Sequence, residues 1–201
     1  ERNFAAGDVD QAFTKADVVV EETFSVGRHT GVTVEPRSIV ADYQPGEEKL
    51  TVYQSTQAPH MMQNVFAKHL GLNEGDVRVI TKDVGGSFGI KVHVYADEFA
   101  AVALSRMFRR PIKFIADRLE AFVTDIHAGD HIVKAKLAVS KDGTIEALEF
   151  DDLTGIGPYS MYPRTSGIEA NQIVNLTGGA YQIQNYKAKT QVVFQNKGVM
   201  C

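Results

Sequence analysis

The stretch from residue 131 to residue 153 constrains the fold most. Two strand-like runs, 131–139 and 144–153, meet at Asp142-Gly143, a dipeptide suited to the left-handed positions of a tight hairpin turn. A chain committed to so long a hairpin must build a sheet around it. Further runs rich in Val, Ile, Thr and Phe occupy 17–26, 38–43, 49–55, 76–81 and 187–195. The pair 38–43 and 49–55 is joined by the turn Gln44-Pro45-Gly46-Glu47, and 112–115 reads as a short buried strand. Helical spacing appears in fewer places. Asp8 is a natural cap for a helix over 7–16, and Pro59 opens another over 59–70 that Gly71 closes. Tyr95, Phe99, Val102 and Ala103 form a third stripe that stops at Arg109-Arg110-Pro111, and 117–122 is a short acidic-led helix. The glycine-rich segment 154–179 shows no clear period. Strands outnumber helices and several are hairpin-linked, so the expected class is α+β: two layers, a mostly antiparallel sheet with helices packed on one side.

Charge excludes some functions. Among 201 residues, 21 Lys+Arg face 25 Asp+Glu, a net charge of −4, which gives nucleic acid no basic surface to follow. A chain of this length buries about 70% of its surface. With no repeat and no long linker, residues 1–201 are expected to form a single domain of at most two lobes. No apolar run of about 18 residues and no signal-like start is visible, so no membrane association is expected. The single cysteine, Cys201, has no partner for a disulfide within the chain, and the six histidines show no metal-ligand spacing. A reducing, cytoplasmic setting follows. The chain starts at Glu1 and its last residues are still strand-like, so it reads as a piece of a longer polypeptide.

Two segments carry the candidate chemistry. The turn Gly85-Gly86-Ser87-Phe88-Gly89-Ile90-Lys91 follows a short strand, yet it matches neither a P-loop nor the dinucleotide fingerprint. It is either a steric corner or a set of bare N–H groups beside a bulky anchor, suited to an anionic or oxo-bearing ligand. Ser55-Thr56-Gln57-Ala58-Pro59 lies where a strand ends and a helix begins. Ser55 and Thr56 read as capping residues, whereas the Gln57 carboxamide has an N–H₂ to offer a ligand oxygen. The acidic pairs Glu21-Glu22, Glu47-Glu48 and Asp151-Asp152 read as solvated edges or turns. The nucleophile elbow of a Ser hydrolase is absent.

Taken together, four segments resemble the large, molybdopterin-binding subunit of the molybdenum hydroxylases, the xanthine dehydrogenase, aldehyde oxidase and carbon monoxide dehydrogenase family. They are Gly7-Asp8-Val9-Asp10-Gln11-Ala12-Phe13 with Ala16-Asp17-Val18-Val19-Val20-Glu21, Val34-Glu35-Pro36-Arg37, Ser55-Thr56-Gln57-Ala58-Pro59, and Asp83-Val84-Gly85-Gly86-Ser87-Phe88-Gly89-Ile90-Lys91. The resemblance runs from about Gly7 to the C-terminus. It implies the family's first cofactor-binding lobe, with Gln57, Gly85, Gly86, Phe88 and Gly89 as cofactor contacts. In that picture the Gln57 amide faces the metal's apical ligand and Phe88 presents its backbone N–H. The metal is held by pterin dithiolene sulfurs, so no residue of the chain ligates it directly. The pterin's nucleotide form stays open, and [2Fe-2S] and FAD are expected on partner subunits or domains. Substrate is oxidised by inserting a water-derived oxygen at an electron-poor carbon.

Departures narrow the expectation. Purine-oxidising members carry a glutamate after the lysine of the glycine turn, where this chain has Val92, so an aldehyde or N-heterocycle is expected rather than xanthine. Ser87 and Ile90 replace glycines common in the family. The family's catalytic glutamate and its arginine-containing loop have no counterpart here, so no catalytic residue is assigned and the isolated chain is expected to be inactive. The competing reading is a non-catalytic small-ligand or protein-interaction module, with the glycine turn a rigid corner.

Overall fold

Local signals set many of the element ends. The computed structural model describes residues 1–200 except 164 and 166. Asp8 accepts the Gln11 N–H and caps α1 (Val9–Lys15), which follows β1 (Arg2–Ala6). Pro59 starts α2 (Pro59–Leu70) where an N–H would have no helical partner, and Gly71 ends it at φ 63°, a conformation glycine adopts without a Cβ penalty. α3 (Ala96–Phe108) ends on Arg109 at φ 54°. Asp117 and Glu120 form a reciprocal capping box for α4 (Arg118–Thr124).

The chain divides into two compact units. Residues 30–126 form one of them. Its sheet is ordered β5 (Val77–Ile80), β4 (Lys49–Gln54), β3 (Ser38–Gln44), β6 (Ile112–Ile115). β3 pairs antiparallel with β4 and β6, while β5 joins β4 in parallel because α2 intervenes between them. Alternate residues Ile39, Ala41, Leu50 and Val52 point to one face and pack on Met62 and Phe66 of α2 and Ala101 and Val102 of α3. A groove of about 240 Å³ in this unit is lined by Glu35, Tyr53, Ser55, Asp83, Val84 and Lys113 among others.

Residues 1–29 and 127–200 form the other unit. Its five-stranded sheet runs β1, β9 (Asn185–Val193), β8 (Ile145–Gly155), β7 (Asp130–Val139), β2 (Val18–Val26). Only β8 and β9 pair in parallel, and α5 (Gly167–Leu176) lies in the connection between them. Val9 of α1 packs on Ala138 and Ala147, and Val174 of α5 packs on Tyr186 and Ala188. No helix among the described residues is long and apolar enough to cross a membrane.

The class is α+β with mostly antiparallel strands, as expected, but the strands divide between two sheets. The reason is β2, which pairs with distant β7 rather than with its chain neighbour β3. Two local expectations need correction, and two elements went unread. β6 is an edge strand, with Ile112 and Phe114 turned inward and Ile115 exposed, rather than a buried strand. β1 and α5 carry too weak a pattern to be read ahead of the structure, since every β1 residue is exposed and α5 sits in the glycine-rich segment. Asp152 is not solvated: it is 1% exposed and bonded to His131, Thr154 and Thr190. Cys201 lies outside the described residues.

Candidate functional site

Both candidate segments belong to the unit of residues 30–126 and are joined by hydrogen bonds. The Gln57 side-chain oxygen accepts the Gly89 N–H at 3.1 Å and the Ser87 hydroxyl. Its carboxamide is thereby oriented through the oxygen, and the N–H₂ is left as the group an incoming ligand can meet. The Gln57 N–H itself donates to Lys91 O at 3.1 Å.

The turn's backbone is shaped for close approach. Gly86 sits at φ 96° and Gly89 at φ 87°, positions a side chain would strain, and a Cβ on Gly85 would come within 2.6 Å of Glu35 Cβ. Phe88 holds φ 50° without being glycine, and its ring is 76% exposed. Gly85 N–H donates to Glu35 at 2.6 Å, so the turn's first and last glycine donors are both used. Among the described residues no acceptor meets the N–H groups of Gly86, Ser87 and Phe88. Successive unpaired donors in a turn with left-handed residues form an anion-binding concavity. That observation favours the ligand reading of the turn over the purely steric one.

Ser55 and Thr56 do not cap α2. The Thr56 hydroxyl donates to Lys91 O at 2.8 Å, and the Ser55 hydroxyl donates to Glu35 at 3.0 Å. These bonds tie the segment to the far side of the turn, and the cap position of α2 falls to Ala58, which makes no side-chain cap bond.

Glu35 and Lys91 hold the site together. One Glu35 oxygen accepts from Gly85 N–H, from Ser55, and from the buried Lys91 ammonium at 3.0 Å. Burial pushes the Glu35 carboxyl up, but the bonds from Gly85, Lys91 and Ser55 outweigh it and hold it below the usual carboxylate range. Neither residue was singled out as a site residue from the sequence. The available signal was the Glu35-Pro36-Arg37 segment, in which a charge sits next to a proline and a second charge.

Arg37 anchors the same unit from inside. Its guanidinium is fully buried, bonds Asp97 in a bidentate fork at 2.8 Å, reaches Asp125 at 2.6 Å and stacks 3.7 Å over the Tyr95 ring. The Tyr95 hydroxyl donates to Ile90 O at 2.9 Å, which ties this network to the end of the glycine turn. Burial pushes Glu98 up to about 7, against the pull of Arg37, and Gln54 donates to it at 2.8 Å.

Among the described residues no three His, Asp or Glu side chains are grouped to hold a metal ion. The arrangement is instead a backbone cradle with one oriented amide. It can bind and orient a ligand bearing anionic or oxo atoms, and the charged groups beside it, Glu35 and Lys91, are engaged with each other and with the turn.

The comparisons with known proteins agree with the fold. Residues 1–200 match the molybdopterin cofactor-binding domain family, and the chain belongs to it. It is 34% identical over 174 residues to the nicotine 6-hydroxylase large subunit of Paenarthrobacter nicotinovorans, covering 86% of this chain and 21% of that protein. It is 29% identical to the carbon monoxide dehydrogenase large chain of Hydrogenophaga pseudoflava, covering 96% and 24%. The structure of carbon monoxide dehydrogenase from Oligotropha carboxidovorans superimposes with a TM-score of 0.87 at 30% identity, covering 98% of this chain and 25% of that one. The chain thus spans under a quarter of the length of these two curated relatives, each named as the large component of an assembly.

Proposed function

We propose that this chain supplies one wall of the cofactor site in the large subunit of a molybdenum hydroxylase. The residues assigned to hold the molybdopterin are Gln57, Gly85, Gly86, Phe88 and Gly89. The observation that carries the assignment is the Gln57 carboxamide, locked by its oxygen to Gly89 N–H beside three donors with no acceptor. Such a cradle fits a group rich in oxygen and sulfur acceptors, to which the Gln57 N–H₂ would donate.

When bound, the cofactor supplies two-electron oxidation chemistry at a metal carried by the pterin. The chain's own residues bind and orient. Gly86, Ser87 and Phe88 donate from backbone, Gln57 donates from its amide, and Glu35 with Lys91 keeps the two segments in register. No residue of the chain is assigned as general base. Substrate, on this reading, is an aldehyde or an N-heterocycle, the latter in keeping with the nicotine hydroxylase relative. Iron–sulfur and FAD components would take the electrons, and the assembly would work in the cytoplasm.

The test is the molybdenum and pterin content of the full-length protein, made in a host that produces the cofactor. Near-stoichiometric metal is expected, and a Gln57→Ala, Phe88→Ala double variant is expected to retain about tenfold to a hundredfold less. Full-length protein without metal or pterin would overturn the reading and leave a binding module.

A further inference from the structure

Residues 31–35 lie lengthwise along the glycine turn. Glu35 N–H donates to Gly85 O at 3.1 Å, and Gly85 N–H returns to the Glu35 carboxylate at 2.6 Å. Thr33 is buried, donates its hydroxyl to Glu35 O at 2.7 Å, and lies 3.7 Å from where a Cβ on Gly86 would stand. Gly31 also leaves no room for a side chain. A Cβ there would sit 2.9 Å from Phe88 Cβ and 3.2 Å from Ile90 Cδ1. Residues 31, 33 and 35 therefore face the turn, while Val32 and Val34 are exposed, Val34 by 90%.

Two further facts show that this approach is held in place. Val32 at φ 39° and Phe88 at φ 50° both keep left-handed backbone without being glycine, one in each facing segment. Such conformations persist only where the surroundings over-determine them. The outer end is pinned by Arg118, whose Nη2 donates to Thr33 O at 2.6 Å and Val34 O at 2.9 Å. Arg118 begins α4, itself fixed by the Asp117–Glu120 capping box.

We infer that residues 31–35 are a strap that positions the Phe88 backbone N–H, and that Gly31 sets the distance between strap and turn by lacking a side chain. The inference rests on the proposed placing of the cofactor at this turn. Gly31 is not in the left-handed region, so alanine there tests space alone and adds no backbone penalty of its own. The atom it would strike is Phe88 Cβ, fixed to the main chain, so a rotamer change cannot relieve the clash and the backbone must move. Gly31 and Arg118 are thus positioning residues. They act on the cofactor only through Phe88.

The experiment uses the full-length, assembled enzyme with four variants: Gly31→Ala, Phe88→Gly, the two combined, and Arg118→Ala. Metal and pterin per chain, the rate of cofactor loss on dilution, kcat and KM, and the melting temperature are measured together. Gly31→Ala is expected to melt close to wild type while losing cofactor about tenfold faster, with kcat about tenfold lower and KM nearly unchanged. Because Phe88→Gly removes the struck Cβ, the combined variant should be no worse than Phe88→Gly alone, a coupling that a general loss of stability would not produce. Arg118→Ala, which frees the strap without crowding it, should also release cofactor faster. A Gly31→Ala enzyme that keeps its cofactor as well as a loaded wild type overturns the strap, as does a combined variant showing the two losses simply added. A wild type that carries no cofactor overturns the placing of the site, and the strap falls with it.

Discussion

The most exacting residue in the unit of 30–126 is Arg37. Its charge is removed from water and compensated by Asp97, Asp125 and Glu98, by the Thr124 hydroxyl and by the stacked Tyr95 ring. Burial alone would lower the guanidinium's affinity for its proton, yet its carboxylate partners more than offset that, and Asp97 is correspondingly held below its usual range. Removing one partner of such a set strands the other charges in the interior. Arg37→Ala should therefore cost about 3–5 kcal/mol, which lowers the melting temperature by roughly 10 °C for a chain of this size. Arg37→Lys should recover only part of this, because an ammonium cannot form the fork to Asp97. Calorimetry showing a drop below about 2 °C for the alanine variant would mean that the ion pairs contribute nothing net. At the same scale, the sequence pointed correctly to Gln57 and the glycine turn as structural neighbours. It could not point to Lys91 as their link, because a lysine at the end of a glycine turn reads as solvated until its burial is seen.

At the scale of elements, α5 is tied to the five-stranded sheet by a titratable clasp. His131 on β7 bonds Asp152 on β8 at 2.9 Å and Glu169 on α5 at 3.1 Å. The bond to Asp152, then that to Glu169, raises the His131 pKa to about 9 despite burial. The folded value lies above the ordinary value of 6.5, so the clasp's stabilisation is complete below about pH 6.5 and disappears as pH rises through about 9. Asp152 works in the opposite direction: burial pushes it up, but His131, Thr154 and Thr190 hold it low, so its share is lost only as the solution turns acid. Thermal melts of wild type and His131→Gln from pH 6 to 10 should differ most at the acid end of that range and converge above pH 9. Parallel curves across that range would show that His131 is not protonated in the fold. The two helices most legible in the sequence, α2 and α3, pack on the smaller sheet as their stripes require. α5 was not legible, since its glycine-rich surroundings hide the period and its hold on the sheet comes from the packing of Val174 on Tyr186 and Ala188 together with the Glu169 bond to His131.

At the scale of the whole molecule, β2 is the conspicuous exposed element. It forms one edge of its sheet, every residue in it is exposed, and Val18, Val20, Phe24 and Val26 share one face of the strand. A long apolar edge strand of this kind invites pairing. The isolated chain should therefore elute above monomer size and bind a hydrophobic dye, and a Val20→Lys, Phe24→Lys variant should elute as a monomer without binding it. A monomeric, dye-free wild type would show that this edge is protected. By itself the sequence determined the class, the positions of most strands and helices, and the two segments that meet at the cradle, because capping, turn chemistry and alternation are local and act within a few residues. Only the tertiary structure decided that β2 crosses to β7, that the strands divide into two sheets, that Asp152 is buried, and that residues 31–35 press against the turn. Those outcomes depend on contacts between residues far apart in the chain, and no local pattern encodes which distant partner fills a given face.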